Sequence, residues 1–135
     1  GLKNGKKHFD LSDCPDLAPV VFALSCIFGG AEFTGTKRLK IKESDRAEAM
    51  KQELSKFGIE VLVYDNSVIV KCGELKTPTK VLNSHNDHRI AMSLAIAAQK
   101  CAEPFTLTGA SSVQKSYPEF WQDYKLVGGK IEVLI

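Results

Sequence analysis

The chain has 135 residues, 44% of them hydrophobic and 25% charged, with a formal net charge of +2. That length and composition suit a single domain with a real core and exclude disordered, collagen-like and coiled-coil chains. No apolar run approaches the roughly 20 residues of a membrane span, and the weak positive balance, without a block of five like charges, argues against nucleic acid. The polar start Gly1-Leu2-Lys3-Asn4-Gly5 carries neither an initiating Met nor a signal-peptide pattern, which points to an excised fragment. Cys14, Cys26, Cys72 and Cys101 form no C-x-x-C pair and read as buried free thiols of a reducing cytoplasm.

In chain order, a first helix is expected from about Asp13 to Asp16 onward. Pro15 falls in its first turn, Val20, Val21, Leu24, Ile27 and Phe28 make its apolar stripe, and Gly29-Gly30 ends it. Ala31 to Gly35 predicts a short strand, and Thr36 to Lys42 a basic loop. Ser44 predicts the N-cap of a second helix with Ala47, Met50, Leu54 and Phe57 on its apolar face and Gly58 as its stop. Ile59 to Tyr64 and Val68 to Lys71 predict a hairpin around Asp65-Asn66.

Beyond a loop from Glu74 to Pro78, a brief strand is expected at Lys80 to Leu82. A helix from about Asp87 to Cys101 follows, apolar on nearly all sides and therefore buried almost all round. Phe105 to Thr108 reads as a strand. Ser116-x-x-Glu119 has the form of a capping box for a fourth helix, on which Phe120 and Trp121, with Tyr117 beside them, read as core. Lys130 to Ile135 predicts a closing strand.

This order contains one unit twice. Phe33-Thr34-Gly35 recurs as Leu107-Thr108-Gly109 and Ile59-Glu60-Val61 as Ile131-Glu132-Val133, at offsets of about 72–74 residues. Two α/β units side by side, about 1–72 and 73–135, would point equivalent helices the same way and gather their N-termini at one end. Those N-termini carry the chemistry. Asp13 and Asp16 precede the first helix, Lys42-Glu43-Ser44-Asp45-Arg46 the second, Asn86-Asp87-His88-Arg89 the third and Lys115-Ser116 the fourth.

Helix starts already favour anions through free N–H groups and the dipole. Lys42, Arg46, Arg89 and Lys115 added there make a site for phosphate or carboxylate. Only three of the 18 Lys and Arg residues are arginines, and two of them fall in these clusters. Asp13, Asp45 and Asp87 also suit plain helix caps. His85-x-x-His88 lacks an evident third metal ligand, so no metal site is assigned, and His88 fits better as a hydrogen-bonding or acid/base group beside an anion.

Asp16 ahead of an apolar helix, Lys42-Glu43-Ser44-Asp45-Arg46, Asn86-Asp87-His88-Arg89-Ile90-Ala91-Met92 and Lys115-Ser116-Tyr117-Pro118 occur in that order. Together they resemble the C-terminal part of the 5-enolpyruvylshikimate-3-phosphate synthase family, over about Asp10 to Gly129. The resemblance implies an α/β fold of repeated β-α-β-α-β-β units, a partial inside-out α/β barrel, with helix N-termini aimed at a cleft between two domains. It implies a cytoplasmic transferase of the shikimate pathway to aromatic amino acids. That enzyme moves the enolpyruvyl group of phosphoenolpyruvate to the 5-hydroxyl of shikimate 3-phosphate and releases phosphate, with no cofactor or metal and no nucleic-acid or membrane partner.

By position the resemblance makes Asp16 the group that takes the hydroxyl proton and Glu43 the acid that protonates the methylene carbon. Lys42, with Asp16, contacts shikimate 3-phosphate. Arg46, Arg89 and Lys115 bind phosphoenolpyruvate, with His88 and Asp87 in support. Arg38 stands where some members carry a substrate-contacting Asn, and no contact is carried to it. An N-terminal domain completing both substrate sites has no counterpart here, so the chain alone is expected to be inactive. The alternatives are a UDP-N-acetylglucosamine enolpyruvyl transferase fragment, and a non-catalytic anion- or RNA-binding α/β module with aromatics interleaved on a basic face.

Overall fold

A computed structural model describes residues 7–131. Strand β1 (His8–Asp10) leads through a 3-10 turn, Pro15–Leu17, into helix α1 (Ala18–Ile27) and strand β2 (Ala31–Thr34). A second 3-10 turn, Lys37–Ile41, precedes α2 (Arg46–Lys56) and the hairpin β3 (Val61–Val63) and β4 (Ser67–Val70). Then come β5 (Leu82–Asn83), α3 (His88–Ala98), β6 (Leu107–Thr108), a 3-10 turn at Ala110–Lys115 and α4 (Phe120–Leu126). The four-stranded sheet has the order β1-β2-β4-β3, with β1 parallel to β2 and the other pairs antiparallel. β5 and β6 form a separate parallel pair.

The first four elements of the expected unit, β-α-β-α, occur twice in this arrangement. In each copy a strand crosses over through a helix to a parallel neighbour, and a 3-10 turn then leads to a second helix. Each crossover also ends in the same polar device. Gly35 (φ +73°) and Gly109 (φ +74°) close β2 and β6 in the left-handed region, each beneath a serine that follows the preceding strand. A methyl group on Gly35 would lie 2.5 Å from the Ser12 backbone nitrogen and 2.3 Å from its hydroxyl oxygen. The nitrogen cannot retreat without breaking its bond to Asp10 Oδ1. Gly35→Ala is therefore expected to destabilise the chain by about 2–5 kcal/mol, combining left-handed strain with overpacking. Urea unfolding measures it, and a change under about 0.5 kcal/mol, the size of an ordinary surface substitution, would show that the turn has room to adjust.

The core gathers Phe22, Phe33, Met50, Leu54, Phe57, Ile59, Leu82, Ile90 and Leu94, all essentially inaccessible to solvent. Phe22 meets Phe33 edge-on at 4.9 Å. Each such side chain contributes about 1.5–3 kcal/mol when fully buried. The equivalent helices α1 and α3 pack directly on each other. No residue of α3 is fully exposed, as its all-round apolar pattern predicts. The hairpin turn is tied to the basic segment by Asn66, whose carbonyl accepts from Gly35 N and whose side-chain oxygen accepts from Lys37 N.

Several local expectations need correction. The first helix begins as a 3-10 turn, Pro15–Leu17, whose N-cap Cys14 makes no side-chain capping bond. Asp45 is the N-cap of α2, accepting from Glu48 N at 3.2 Å, and Ser44 is left free for another partner. Ser116 opens no helix. It closes the preceding 3-10 turn, because Pro118 disfavours helical geometry at Tyr117 and α4 starts only at Phe120. No residue of α4 is buried. Phe120 stacks on Tyr124 and meets Tyr117 and Trp121 edge-on, and this partly exposed aromatic cluster stands in place of core.

Of the expected closing strand, Lys130 and Ile131 are in no regular element, and the remainder lies outside the described residues. All four cysteines are free, but only Cys26 is buried, its thiol pKa pushed up to about 12 by that burial, whereas Cys72 is exposed.

Candidate active site

Arg46 organises the site. It is the first residue of α2, and its side chain is 1% exposed. Its guanidinium reaches three carboxylates on three different segments. Nε donates to Asp87 Oδ2 at 2.9 Å, Nη2 donates to Asp87 Oδ1 at 3.2 Å, and Nη1 donates to Asp16 Oδ1 at 3.1 Å. Nη2 also donates to Glu43 Oε2. The fork geometry of Arg makes the two-point contact with Asp87 possible, and a lysine could not reproduce it.

Asp87 is completely buried and does two jobs. As the N-cap of α3 it accepts from Arg89 N at 3.0 Å, and it also takes the Arg46 pair and the Ser44 hydroxyl at 2.8 Å. Burial opposes its ionisation, but the bonds from Arg46 and Ser44 outweigh that and hold its carboxyl below the usual range. For Arg46, likewise, burial is outweighed by Asp87, Glu43 and Asp16, which raise its pKa. The pair is fully ionised at neutral pH.

Asp16 sits at the open edge of this arrangement, half-exposed in the 3-10 turn that enters α1. Lys42 Nζ lies 3.5 Å from Asp16 Oδ1, Arg89 Nη2 lies 4.0 Å from Oδ2, and Arg89 Nη1 donates to the Asp16 carbonyl at 3.5 Å. Desolvation pushes the Asp16 carboxyl up, but Lys42, Arg89 and Arg46 together prevail and hold it low. Glu43 is also half-exposed, free to move away from Arg46. Three cations and three carboxylates thus balance at one place.

The starts of α1, α2 and α3 meet at this end of the molecule, as the repeat predicts. Asp16, Lys42, Glu43, Arg46, Asp87 and Arg89 come together from positions up to 73 residues apart. His88 begins α3 beside them, half-buried. The fourth start is different. α4 is tied to the C-terminal half of α3, where Tyr124 Oη donates to Ala95 O, and among the described residues no hydrogen bond links it to the Arg46 cluster. Lys115 ends the last 3-10 turn, and its side chain lies outside the described residues.

The roles of three residues differ from, or were absent in, the sequence reading. Ser44 reads as a cap and instead bonds Asp87. Glu53 and His85 pair at 2.7 Å beside the turn that carries Asp87, so His85 is engaged with a carboxylate. Glu53 was detectable, because a charged residue three positions after Met50 falls on the stripe that α2 must bury. Among the described residues no group of three His, Cys, Asp or Glu side chains is placed to hold a metal ion, and no helix is long and apolar enough to cross a membrane.

A family model described as EPSP synthase (3-phosphoshikimate 1-carboxyvinyltransferase) matches residues 2–124. The chain belongs to the EPSP synthase family. It is 43% identical over 134 residues to the 3-phosphoshikimate 1-carboxyvinyltransferase of Clostridium novyi (strain NT), covering 96% of this chain and 31% of that relative. The enzyme of the same name from Clostridium kluyveri is 45% identical over 124 residues, with 91% of this chain and 29% of the relative covered. Among solved structures, EPSP synthase from Acinetobacter baumannii superposes with a TM-score of 0.78 at 29% identity, over 87% of this chain and 28% of that one. The expected α/β fold of this family is thereby borne out. The chain spans a little under a third of the length of the EPSP synthases it matches.

Proposed function

We propose that the polypeptide carrying this chain transfers the enolpyruvyl group of phosphoenolpyruvate to the 5-hydroxyl of shikimate 3-phosphate in the cytoplasm. The chain supplies one side of the cleft, as part of the C-terminal domain and comprising two of its repeat units, and an N-terminal domain of the same polypeptide supplies the other. The observation that carries this reading is the meeting of three helix starts around Arg46, with Lys42 and Arg89 disposed about a half-exposed Asp16. Fixed cations beside helix N-termini suit polyanionic substrates.

In this reading Asp16 accepts the proton of the attacking hydroxyl as its oxygen bonds to the central carbon of phosphoenolpyruvate. Glu43, protonated once it has left Arg46 for substrate, delivers that proton to the methylene carbon, giving a tetrahedral intermediate. Glu43 then takes a proton back from the new methyl carbon as the carbon–oxygen bond to phosphate breaks, and the departing phosphate carries off the proton held by Asp16. Lys42 holds shikimate 3-phosphate, and Arg46, Arg89 and Lys115 hold phosphoenolpyruvate. His88 lies at the rim of that group, and Asp87 keeps Arg46 in place. Substrate also tunes the base. Asp16 is held acidic by Lys42 and Arg89, and a bound anion that draws those cations toward itself returns proton affinity to Asp16 at the moment a base is needed.

Inorganic phosphate, the shared part of both substrates, tests the location. Titrated into the chain at neutral pH, it is expected to shift the amide and side-chain resonances of Arg89 and Lys42 and to raise the carboxyl pKa of Asp16. Shifts confined to the Asp65-Asn66 turn, with Asp16 unmoved, would place the anion site elsewhere.

A further inference from the structure

Two successive non-glycine residues, His85 (φ +55°) and Asn86 (φ +54°), occupy the left-handed region in the turn between β5 and α3. Such backbone is costly for a residue with a Cβ and persists only where the surroundings impose it. Asp87 follows at once, so the turn's shape decides where Asp87 and Arg89 arrive.

The turn is gripped from α2. Glu53 is 1% exposed, and its carboxylate is fully engaged. Oε1 accepts from Asn83 N and from Lys56 Nζ, both at 2.8 Å, and Oε2 lies 2.7 Å from His85 Nε2. Lys56 also donates to Val81 O at 3.0 Å, and His85 N donates to Asn83 Oδ1 at 2.7 Å. Glu53 stands seven residues beyond Arg46, two turns along the same face of α2. One helix therefore holds both ends of the turn, Asn83 and His85 through Glu53 and Asp87 through Arg46. Packing alone does not call for this, because a buried carboxylate is expensive where an apolar side chain would fill the space.

We propose that Glu53 is a positioning residue: with His85 it holds the left-handed turn in the conformation that delivers Asp87 to Arg46 and turns Arg89 toward Asp16. Its bearing on anion binding rests on the reading of the Arg89 region given above.

The test compares the 135-residue chain with Glu53→Gln, His85→Ala and Glu53→Gln/Asn86→Gly by NMR, following protection of the Arg46 Nε proton and the affinity for inorganic phosphate. Glu53→Gln is expected to speed Arg46 Nε–H exchange and weaken phosphate binding, each about five- to tenfold, as the competent turn becomes a minor population. His85→Ala acts in the same direction to a smaller extent. Asn86→Gly removes the cost of the left-handed backbone and should restore most of the loss in the double variant, which a general loosening of the fold would not permit.

Unchanged Arg46 protection in Glu53→Gln, or a loss that Asn86→Gly leaves uncorrected, overturns the proposal. Should Glu53→Gln not fold, His85→Ala decides by the same readouts, since His85 is 22% exposed and can be truncated without opening the core. A wild-type chain that ignores phosphate while Arg46 protection still falls and recovers would sink the anion-site reading and leave the clamp standing.

Discussion

Asp87→Ala is expected to lower the unfolding free energy by about 3–5 kcal/mol, because it strands a buried guanidinium whose principal partner is gone. The side chain of Asp87 is completely inaccessible and that of Arg46 nearly so, so water cannot replace the lost bonds. The N-cap of α3 disappears in the same change. Asp87→Asn keeps the cap oxygen and one acceptor for Arg46, and should cost less.

The acid limb of stability follows from the buried carboxylates. The carboxyls of Asp87 and Glu53 are both lower in the folded chain than their ordinary values. Their stabilisation is complete above the unfolded carboxylate range, near pH 4, and is lost as pH falls through the lower folded values. Urea melts at intervals between pH 7 and 2 should therefore show a decline below about pH 4 that is shallower in Asp87→Asn. Equal stability of wild type and Asp87→Ala at pH 7, or identical acid limbs in wild type and Asp87→Asn, would show that the Arg46–Asp87 pair does not hold the three helix starts together.

Glu43→Gln, in a full-length polypeptide bearing this chain, is expected to cut turnover about 10²–10⁴-fold while leaving the KM for both substrates nearly unchanged. That is the range for loss of a positioned acid or base. The amide keeps an oxygen that can accept from Arg46 Nη2, so the geometry around the guanidinium is preserved while the transferable proton is removed. Half-exposure lets Glu43 leave Arg46 for substrate.

The 135-residue chain alone is the control. Stabilisation of a polyanionic transition state needs charge from both sides of a water-excluding cleft, so its rate should fall on the order of 10³-fold or further below that of the whole polypeptide. Phosphate release from phosphoenolpyruvate and shikimate 3-phosphate measures both. A fully active Glu43→Gln enzyme would remove Glu43 from the chemistry, and appreciable turnover by the isolated chain would overturn the two-sided cleft.

The amino-acid sequence by itself determined most of the helices and strands and their order. The apolar stripe of α2 from Ala47 to Phe57, the all-round apolar run of α3 and the Asp65-Asn66 turn each follow from local periodicity and turn chemistry, and the structure bears them out. It also determined the residue types at the three helix starts that meet, because capping and anion preference act within one turn of helix. What only the tertiary structure decided was which of those residues bind one another.

Asp45 and Ser44 are neighbours with equal claims to the cap, and the choice fell to Asp45 because Asp87, 43 residues on, supplied Ser44 with a better partner. Arg46 reads in sequence as a cation waiting for an anion, whereas in the fold three carboxylates take four of its five N–H groups and the more accessible cations are Lys42 and Arg89. Glu53 and His85 lie 32 residues apart and carry no local signal of pairing. Contacts of that kind depend on how α2 and α3 pack, and the free energy that selects the packing comes from burying Phe22, Phe57 and Leu94 rather than from the polar groups it aligns.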